Sequence, residues 1–469
     1  MRIRLLIPSI FIFLLIHIQI QGQEFYFGAD QSYVNEMEDC GADFKENGES
    51  KNVYQIFKDH GNNLVRLRLW HTPSWHDNLN QGKRYSDYAD VKKSIVRAKS
   101  RNIDVLLDFH LSDNWADPSK QLVPAAWLAV VDDVEILKDS LYNYIYATLT
   151  ELNEEDLLPE MIQMGNETNK GILLSPQDNQ VWTLDWNRNA ILFNRGIEAV
   201  RDFENQNNKE IEIVIHVAGP ANAEWLVDGF ISNGVTDFDI IGLSYYWAWH
   251  MPTEISDAGA VIQTLRSLYP GKEVLVVETG YIWTNDWNDA AANIISETHP
   301  NYHPASPEIQ RDWLIDLTKE VKEKNGLGVI YWEPAWVSST CFTQWGQGSH
   351  QEHATFFDFD NELLIPGGIE WMEYDYEGTS STTNLLKIAN IQILTNSFSG
   401  DIKIKQHGEV FKNLSYAIAD SLGQIILSGK TSSRETTLRL ENVPHGIYFI
   451  SVQNGNEFIQ TKKFIYSDK

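Results

Sequence analysis

The sequence predicts an α/β fold, a parallel (β/α)8 barrel followed by a small all-β sandwich. Three observations carry this reading. Between Glu24 and Met372, eight short apolar runs alternate with helical stretches, as strands and helices do in a barrel. Polar residues gather at the ends of those runs. Beyond Ser380 the pattern changes to short alternating runs separated by turn residues, which reads as a β-sandwich. A doubly wound open sheet is the alternative, but no Gly-rich phosphate loop follows the first run, which lowers its nucleotide-binding version.

In chain order, residues 1–22 come first. Arg2 and Arg4 precede an apolar stretch over 5–16 and a short polar exit to Gly22, the arrangement of a secretory signal peptide. The stretch is short of the ~20 apolar residues that span a bilayer. Residues 23–377 form the barrel. Its strands are expected at 25–30, 64–70, 103–110, 161–167, 211–217, 240–246, 273–279 and 327–333, with helices at 52–60, 88–100, 134–150, 186–205 and 308–324. A linker follows at 378–384, where Gly378 to Thr383 are all small and polar. Residues 385–469 make the sandwich, with strands expected around 402–404, 416–418, 424–427, 437–440 and 447–452.

Charge divides along the same boundaries. The chain of 469 residues has 37 basic and 65 acidic residues, a formal charge of -28. From Ser380 onward 10 basic residues face 7 acidic ones, and the amino-terminal segment contributes two arginines, so the middle carries -33. Such a segment repels nucleic acid and anionic membrane surfaces. All 16 tryptophans lie between Trp70 and Trp371. A core rarely needs that many rings, so some are expected on a binding surface.

The strand ends supply the chemistry. They carry Asp30, Arg66, Arg68, Asp108, His110, Asn166, Glu167, His216, Tyr245, Glu278 and Glu333, where a barrel places its active site. The fourth strand ends in Asn166-Glu167 and the seventh in Glu278. Two carboxyls facing each other across a barrel mouth suit glycoside hydrolysis. One protonates the leaving oxygen and the other meets the oxocarbenium-like carbon.

These residues also carry a resemblance. Val65-Arg66-Leu67-Arg68-Leu69-Trp70, Leu107-Asp108-Phe109-His110 running on to Trp115-Ala116-Asp117-Pro118, Gly165-Asn166-Glu167, Val277-Glu278-Thr279 and Tyr331-Trp332-Glu333-Pro334-Ala335-Trp336 together resemble glycoside hydrolase family 53, the arabinogalactan endo-β-1,4-galactanases. The resemblance spans roughly Phe25 to Met372. It implies a retaining enzyme acting on the β-1,4-galactan side chains of pectin, with Glu167 as acid/base and Glu278 as nucleophile. It further implies that Arg66 orients Glu278, that Asn166 bonds the 2-hydroxyl of the sugar being cleaved, and that Tyr245 donates to the nucleophile. By sequence alone Tyr246 serves equally well, and Arg68 can equally be a structural ion pair.

His110, Asp113 and Asp117 could suggest a metal. In the context of the resemblance, His110, Asp113 and Asp117 are expected to arrange sugar hydroxyls and loops, and no metal or cofactor is predicted. Trp115, Trp247, Trp249, Trp332 and Trp336 sit at or after strand ends, with His250 beside them, and are expected to bind sugar. Trp332 is the expected floor of the cleavage subsite. Some bacterial relatives hold calcium after the seventh strand through Asp-x-Asp-x-His-x-Asn, a pattern from which Asn285-Asp286-Trp287-Asn288-Asp289 departs. Cys40 and Cys341 are the two cysteines, in the loops after strands one and eight. Barrel closure makes those strands neighbours, and an exported chain can oxidise the pair, so a disulfide is expected.

The stretches Pro444 to Val452 and Lys462 to Ile465 resemble the C-terminal sorting domain of type IX secretion substrates, implying a secretion-machinery partner and a secreted or cell-surface location. The sandwich has no Trp, which counts against a sugar-binding platform there. A soluble monomer is expected. The rival functions are retaining hydrolysis of another β-1,4-linked polymer, mannan or glucan, and non-catalytic sugar binding at a surface.

Overall fold

The computed structural model describes residues 25–376, 391–395, 401–406, 414–420, 424–440, 443–454 and 457–466. The expected signal peptide and the expected linker lie outside the described residues. The chain divides into two compact units, Met1–Tyr374 and Asp375–Lys469.

The first unit is a closed barrel of eight parallel strands. They are β1 (Tyr26–Asp30), β2 (Leu64–Leu69), β3 (Asp104–Phe109), β4 (Met161–Met164), β5 (Glu212–Ala218), β6 (Ile240–Ser244), β7 (Glu273–Thr279) and β8 (Gly328–Tyr331). Each pairs with its neighbour in sequence, and β1 closes the ring by pairing with both β2 and β8. Seven fall within the runs expected from sequence, and β5 runs one residue past its expected end, to Ala218. The fourth and eighth are shorter, because the backbone leaves the ladder at Gly165 (φ 79°) and at Glu333 (φ 49°).

Helices α1 (Val53–Asp59), α2 (Tyr88–Lys99), α3 (Val134–Glu154), α4 (Trp186–Asn207), α5 (Pro220–Ser232), α6 (Ile255–Leu268) and α7 (Pro307–Glu323) follow β1 to β7 in turn. Asp87, Asp133, Asp185 and Ser306 cap α2, α3, α4 and α7 through side-chain oxygens that accept backbone N–H groups. Such caps satisfy donors that a helix start would otherwise leave unpaired.

Inside the barrel, side chains stack in layers. Leu64, Leu106, Met161, Val214, Ile240, Leu275, Val277 and Ile330 form one apolar cluster. Two residues further along β2, β3, β4 and β5 stand Arg66, Asp108, Gln163 and His216, all buried. Because side chains alternate with period 2 along a strand, this second layer is polar and lies toward the C-terminal strand ends.

Strand β7 breaks the period. Its ladder with β6 pairs Leu243 with Val276 and then Ser244 with Glu278, and its ladder with β8 shifts in the same stretch. The extra residue is a bulge, which re-aims the side chain that follows it. Val277 therefore stays in the interior cluster while the adjacent Glu278 also faces inward, toward Arg66.

The second unit contains two antiparallel sheets. Strands β9 (Ile391–Thr395), β10 (Asp401–Gln406) and β13 (Glu435–Arg439) form one, in the order β9-β10-β13. Strands β11 (Leu414–Asp420), β12 (Ile425–Thr431), β14 (Gly446–Asn454) and β15 (Glu457–Tyr466) form the other, in the order β12-β11-β14-β15. Ile402, Ile404 and Leu438 from one sheet share a core with Leu414, Ile418 and Ile450 from the other, which makes the unit a sandwich.

Candidate active site

Arg66 on β2 organises the polar layer. Nη1 donates to Asp30 Oδ2 at 2.9 Å and Glu278 Oε1 at 2.7 Å. Nη2 donates to Asp108 Oδ2 and Asn166 Oδ1, both at 2.7 Å, and Nε donates to Gln163 Oε1 at 3.1 Å. The planar guanidinium fork reaches β1, β3, β4 and β7 at once, a geometry that an ammonium group cannot copy. Three buried carboxylates around one cation would be costly without these direct bonds.

Glu167 follows the left-handed Gly165 and itself has φ 47°. That region is unfavourable for a residue with a Cβ and is found where a site demands it. Ser244 Oγ donates to Glu167 Oε1 at 2.6 Å, and the Glu167 backbone N–H donates to His216 Nδ1 at 3.2 Å. Burial holds the His216 pKa well below the usual imidazole value, so the ring is neutral. Its Nδ1 lies 2.9 Å from Asn166 Oδ1 as well, and its Nε2 lies 2.8 Å from Ser244 Oγ. His216 is thus hydrogen-bonded to Ser244, and Ser244 donates to Glu167.

Burial raises the pKa values of both Glu167 and Glu278. The Glu278 charge raises Glu167 further, whereas the Arg66 guanidinium pulls Glu278 back down. Glu278 therefore ionises first and Glu167 keeps its proton longer. This is the separation of roles that an acid and a nucleophile require.

The two carboxyls line a cleft of about 600 Å³ together with Asn166, Tyr246, Trp115, Trp249, Trp332 and Trp336. Trp115 packs edge-on against Trp332, which packs edge-on against Trp336. Arg68 steadies this wall. Its guanidinium lies 4.6, 4.4 and 4.1 Å from the ring centroids of Tyr33, Trp70 and Trp115, and it bonds Glu333 at 3.1 Å. Of the readings left open for Arg68, the structure shows the structural ion pair, with aromatic faces added.

Three expectations, for Tyr245, Trp247 and His110, are corrected. Tyr245 does not reach the nucleophile, since its hydroxyl donates to Thr253 O at 2.8 Å. Tyr246, two residues beyond the end of β6, donates to Glu278 Oε2 at 3.2 Å instead. Asp113 arranges loops as expected, its two oxygens accepting the backbone N–H groups of Thr72 and Ala125. Trp247 is buried with its ring edge-on to His299 at 4.3 Å. His110 is buried against Trp115, its Nδ1 2.7 Å from Asp108 Oδ2. His250 does face a cleft, a second one beyond Trp249, and its Nδ1 accepts the Tyr246 N–H. Cys40 and Cys341 are disulfide-bonded, with Cα atoms 5.7 Å apart.

Sequence reasoning missed Ser244 as the donor to Glu167, and also Trp345 and His350 on the cleft wall. Serine at a strand end has no distinguishing signal, and the loop after β8 has no regular period to locate its rings. The loop after β7 is fixed by carboxylates. Asp289 Oδ2 accepts from Ser339 N at 3.0 Å and Ser349 N at 2.6 Å, and Glu352 Oε1 accepts from Asn288 N at 2.8 Å. Among the described residues no group of three or more His, Cys, Asp or Glu side chains is placed to hold a metal.

Residues 26–366 match glycosyl hydrolase family 53, and residues 396–467 match the secretion system C-terminal sorting domain. The chain is 47% identical over 361 residues to an arabinogalactan endo-beta-1,4-galactanase of Cellvibrio japonicus (strain Ueda107), covering 76% of this chain and 92% of that one. It is 33% identical to an endo-beta-1,4-galactanase of Bacillus subtilis (strain 168), covering 67% and 71%. Among solved structures, the GH53 catalytic domain of Ignisphaera aggregans superposes with a TM-score of 0.66 at 31% identity, covering 74% of this chain and 95% of the other.

Proposed function

The chain belongs to glycosyl hydrolase family 53, and we propose that it is an exported, retaining endo-β-1,4-galactanase in which Glu278 is the nucleophile and Glu167 the acid/base. The observation carrying the residue roles is that both carboxyls line one cleft with opposite electrostatic support: a guanidinium on Glu278, and a neutral Ser244–His216 pair on Glu167.

In the first step a Glu278 oxygen attacks the anomeric carbon while Glu167 gives its proton to the departing glycosidic oxygen. The C1–O bond breaks, and an ester to Glu278 forms. Water then attacks C1, Glu167 takes its proton, and Glu278 leaves as carboxylate. Two inversions restore the starting configuration. Asn166 uses one amide hydrogen on Ala116 O, at 2.8 Å, which leaves the other for the sugar's 2-hydroxyl. Trp332 and Trp115 present faces to the apolar CH patches of galactose.

The sorting-domain match places the protein outside the cell or at its surface, and no helix among the described residues is long and apolar enough to cross a membrane. We assign residues 23–377 to catalysis, residues 385–469 to export, residues 1–22 to a signal peptide and residues 378–384 to a linker. A monomer is the proposed catalytic unit, since one chain supplies both carboxyls. Incubating the enzyme with linear potato galactan, mannan and cellulose tests the substrate. Short galacto-oligosaccharides from galactan alone support the reading, and preferential release from mannan or cellulose contradicts it.

A further inference from the structure

Glu167 sits in the left-handed region, with φ 47°, a conformation that a residue with a Cβ keeps only where its surroundings over-determine it. The surroundings here converge on one side chain. Gln121, in the segment between β3 and α3, is 2% exposed. Its Nε2 donates to Asn166 O at 2.8 Å and to Glu167 O at 3.1 Å. These carbonyls belong to the two planar peptide units that flank the Glu167 Cα, so one amide group holds both soft dihedrals of Glu167 together.

Gln121 is itself fastened to the loop that carries Glu167. Its backbone N–H donates to Asn179 Oδ1 at 2.8 Å, and its carbonyl accepts from Leu174 N at 2.7 Å. The same Nε2 also donates to Asp117 O at 3.0 Å, which ties down the stretch from Trp115 to Asp117 on the cleft wall. Two neighbouring parts of the site are held by other groups. Arg66 fixes Glu278, and Arg66 with Ala116 O fixes the Asn166 side chain. Loss of the Gln121 amide would leave a buried carbonyl at Asn166 without this donor and free the Glu167 backbone to turn out of its left-handed conformation.

We propose that Gln121 is a positioning residue for the acid/base: it clamps the backbone of Glu167 so that the carboxyl meets the glycosidic oxygen in the first step and water in the second. The clamp serves proton transfer and not nucleophilic attack, because Glu278 is held from the opposite side by Arg66. A displacement of about 1 Å in a group that must meet a reacting atom costs on the order of 100-fold in rate. The inference rests on the assignment of Glu167 as acid/base and adds the residue that keeps it in place.

The test compares galactan with 2,4-dinitrophenyl β-1,4-galactobioside, whose phenolate leaves without being protonated. Gln121→Leu should lower kcat/KM on galactan about 50-fold to 100-fold, and on the aryl galactobioside by less than about threefold, since its first step needs no acid. On the aryl substrate kcat should fall, because water attack still needs the base. Azide should restore it: its nitrogen attacks C1 without giving up a proton, the C1–Glu278 bond breaks, and β-galactobiosyl azide forms. Gln121→Glu keeps the shape, replaces the donor by an oxygen and should show the same pattern. The ratio of the two kcat/KM values is read on one preparation, so any unfolded fraction cancels. A ratio equal to that of the wild type, or no rescue by azide, overturns the clamp. Failure of azide to rescue Glu167→Ala on the aryl substrate instead overturns the acid/base assignment, and failure of the wild type to cleave galactan overturns the galactanase reading.

Discussion

Arg66 Nη1 donates to Glu278 Oε1 at 2.7 Å from a guanidinium that is itself fully enclosed. The contact links the second strand to the seventh across the barrel and fixes both the charge and the direction of the nucleophile. It also depends on the bulge in β7, without which the Glu278 side chain would follow the opposite parity from Val277.

Arg66→Lys keeps the charge and loses the fork. We expect a fall in kcat of about 100-fold or more, comparable to removing a preorganised charge-stabilising group. Arg66→Ala leaves Asp30, Asp108 and Glu278 without their shared cation, and destabilisation of about 3 to 5 kcal/mol should follow. Steady-state kinetics on galactan and urea titration of the purified variants measure the two effects separately.

Ser244→Ala removes a hydrogen bond that favours the charged form of Glu167 and so lowers its pKa. Without it the Glu167 pKa rises. The alkaline limb of kcat/KM, where the acid loses its proton, should move to higher pH, while the limb set by Glu278 stays in place. A full pH–rate profile is the measurement, and an alkaline limb that moves down contradicts the assignment.

Much of this site was legible in the sequence. Glu167 and Glu278 stood out because each ends an apolar run, and Arg66 because a cation among strand residues needs a partner. The choice between Tyr245 and Tyr246 was not legible. Both faces of a parallel barrel strand are buried, so an apolar run does not announce which residues face inward. The bulge was invisible for the same reason. Strict alternation from Leu275 and Val277 would have turned Glu278 toward the helices, and only the ladder shift shows why it points inward. Trp247 and His110 were overassigned because an aromatic residue beside a strand end looks the same in sequence whether it packs in the interior or touches a sugar.

Glu36 gives a pH dependence of stability independent of catalysis. It is 1% exposed, and burial pushes its pKa from 4.5 to about 8. A carboxyl raised in the folded state stabilises fully below its unfolded pKa, and that contribution is lost as pH rises through the folded value. Glu36→Gln never ionises. The variant should match the wild type near pH 4 and gain on it progressively up to about pH 8, by at most roughly 5 kcal/mol for such a shift. Thermal melts across that range are the check.

The central claim is that Glu278 carries the sugar. A 2-deoxy-2-fluoro-galactobioside with a good leaving group slows the second step and lets the ester accumulate. Peptide mass mapping of the trapped enzyme should place the fluorosugar on Glu278, within the peptide that contains Val277-Glu278-Thr279. A label on Glu167 or any other residue, or rapid turnover to an anomer of inverted configuration with no trapped ester, would contradict the account.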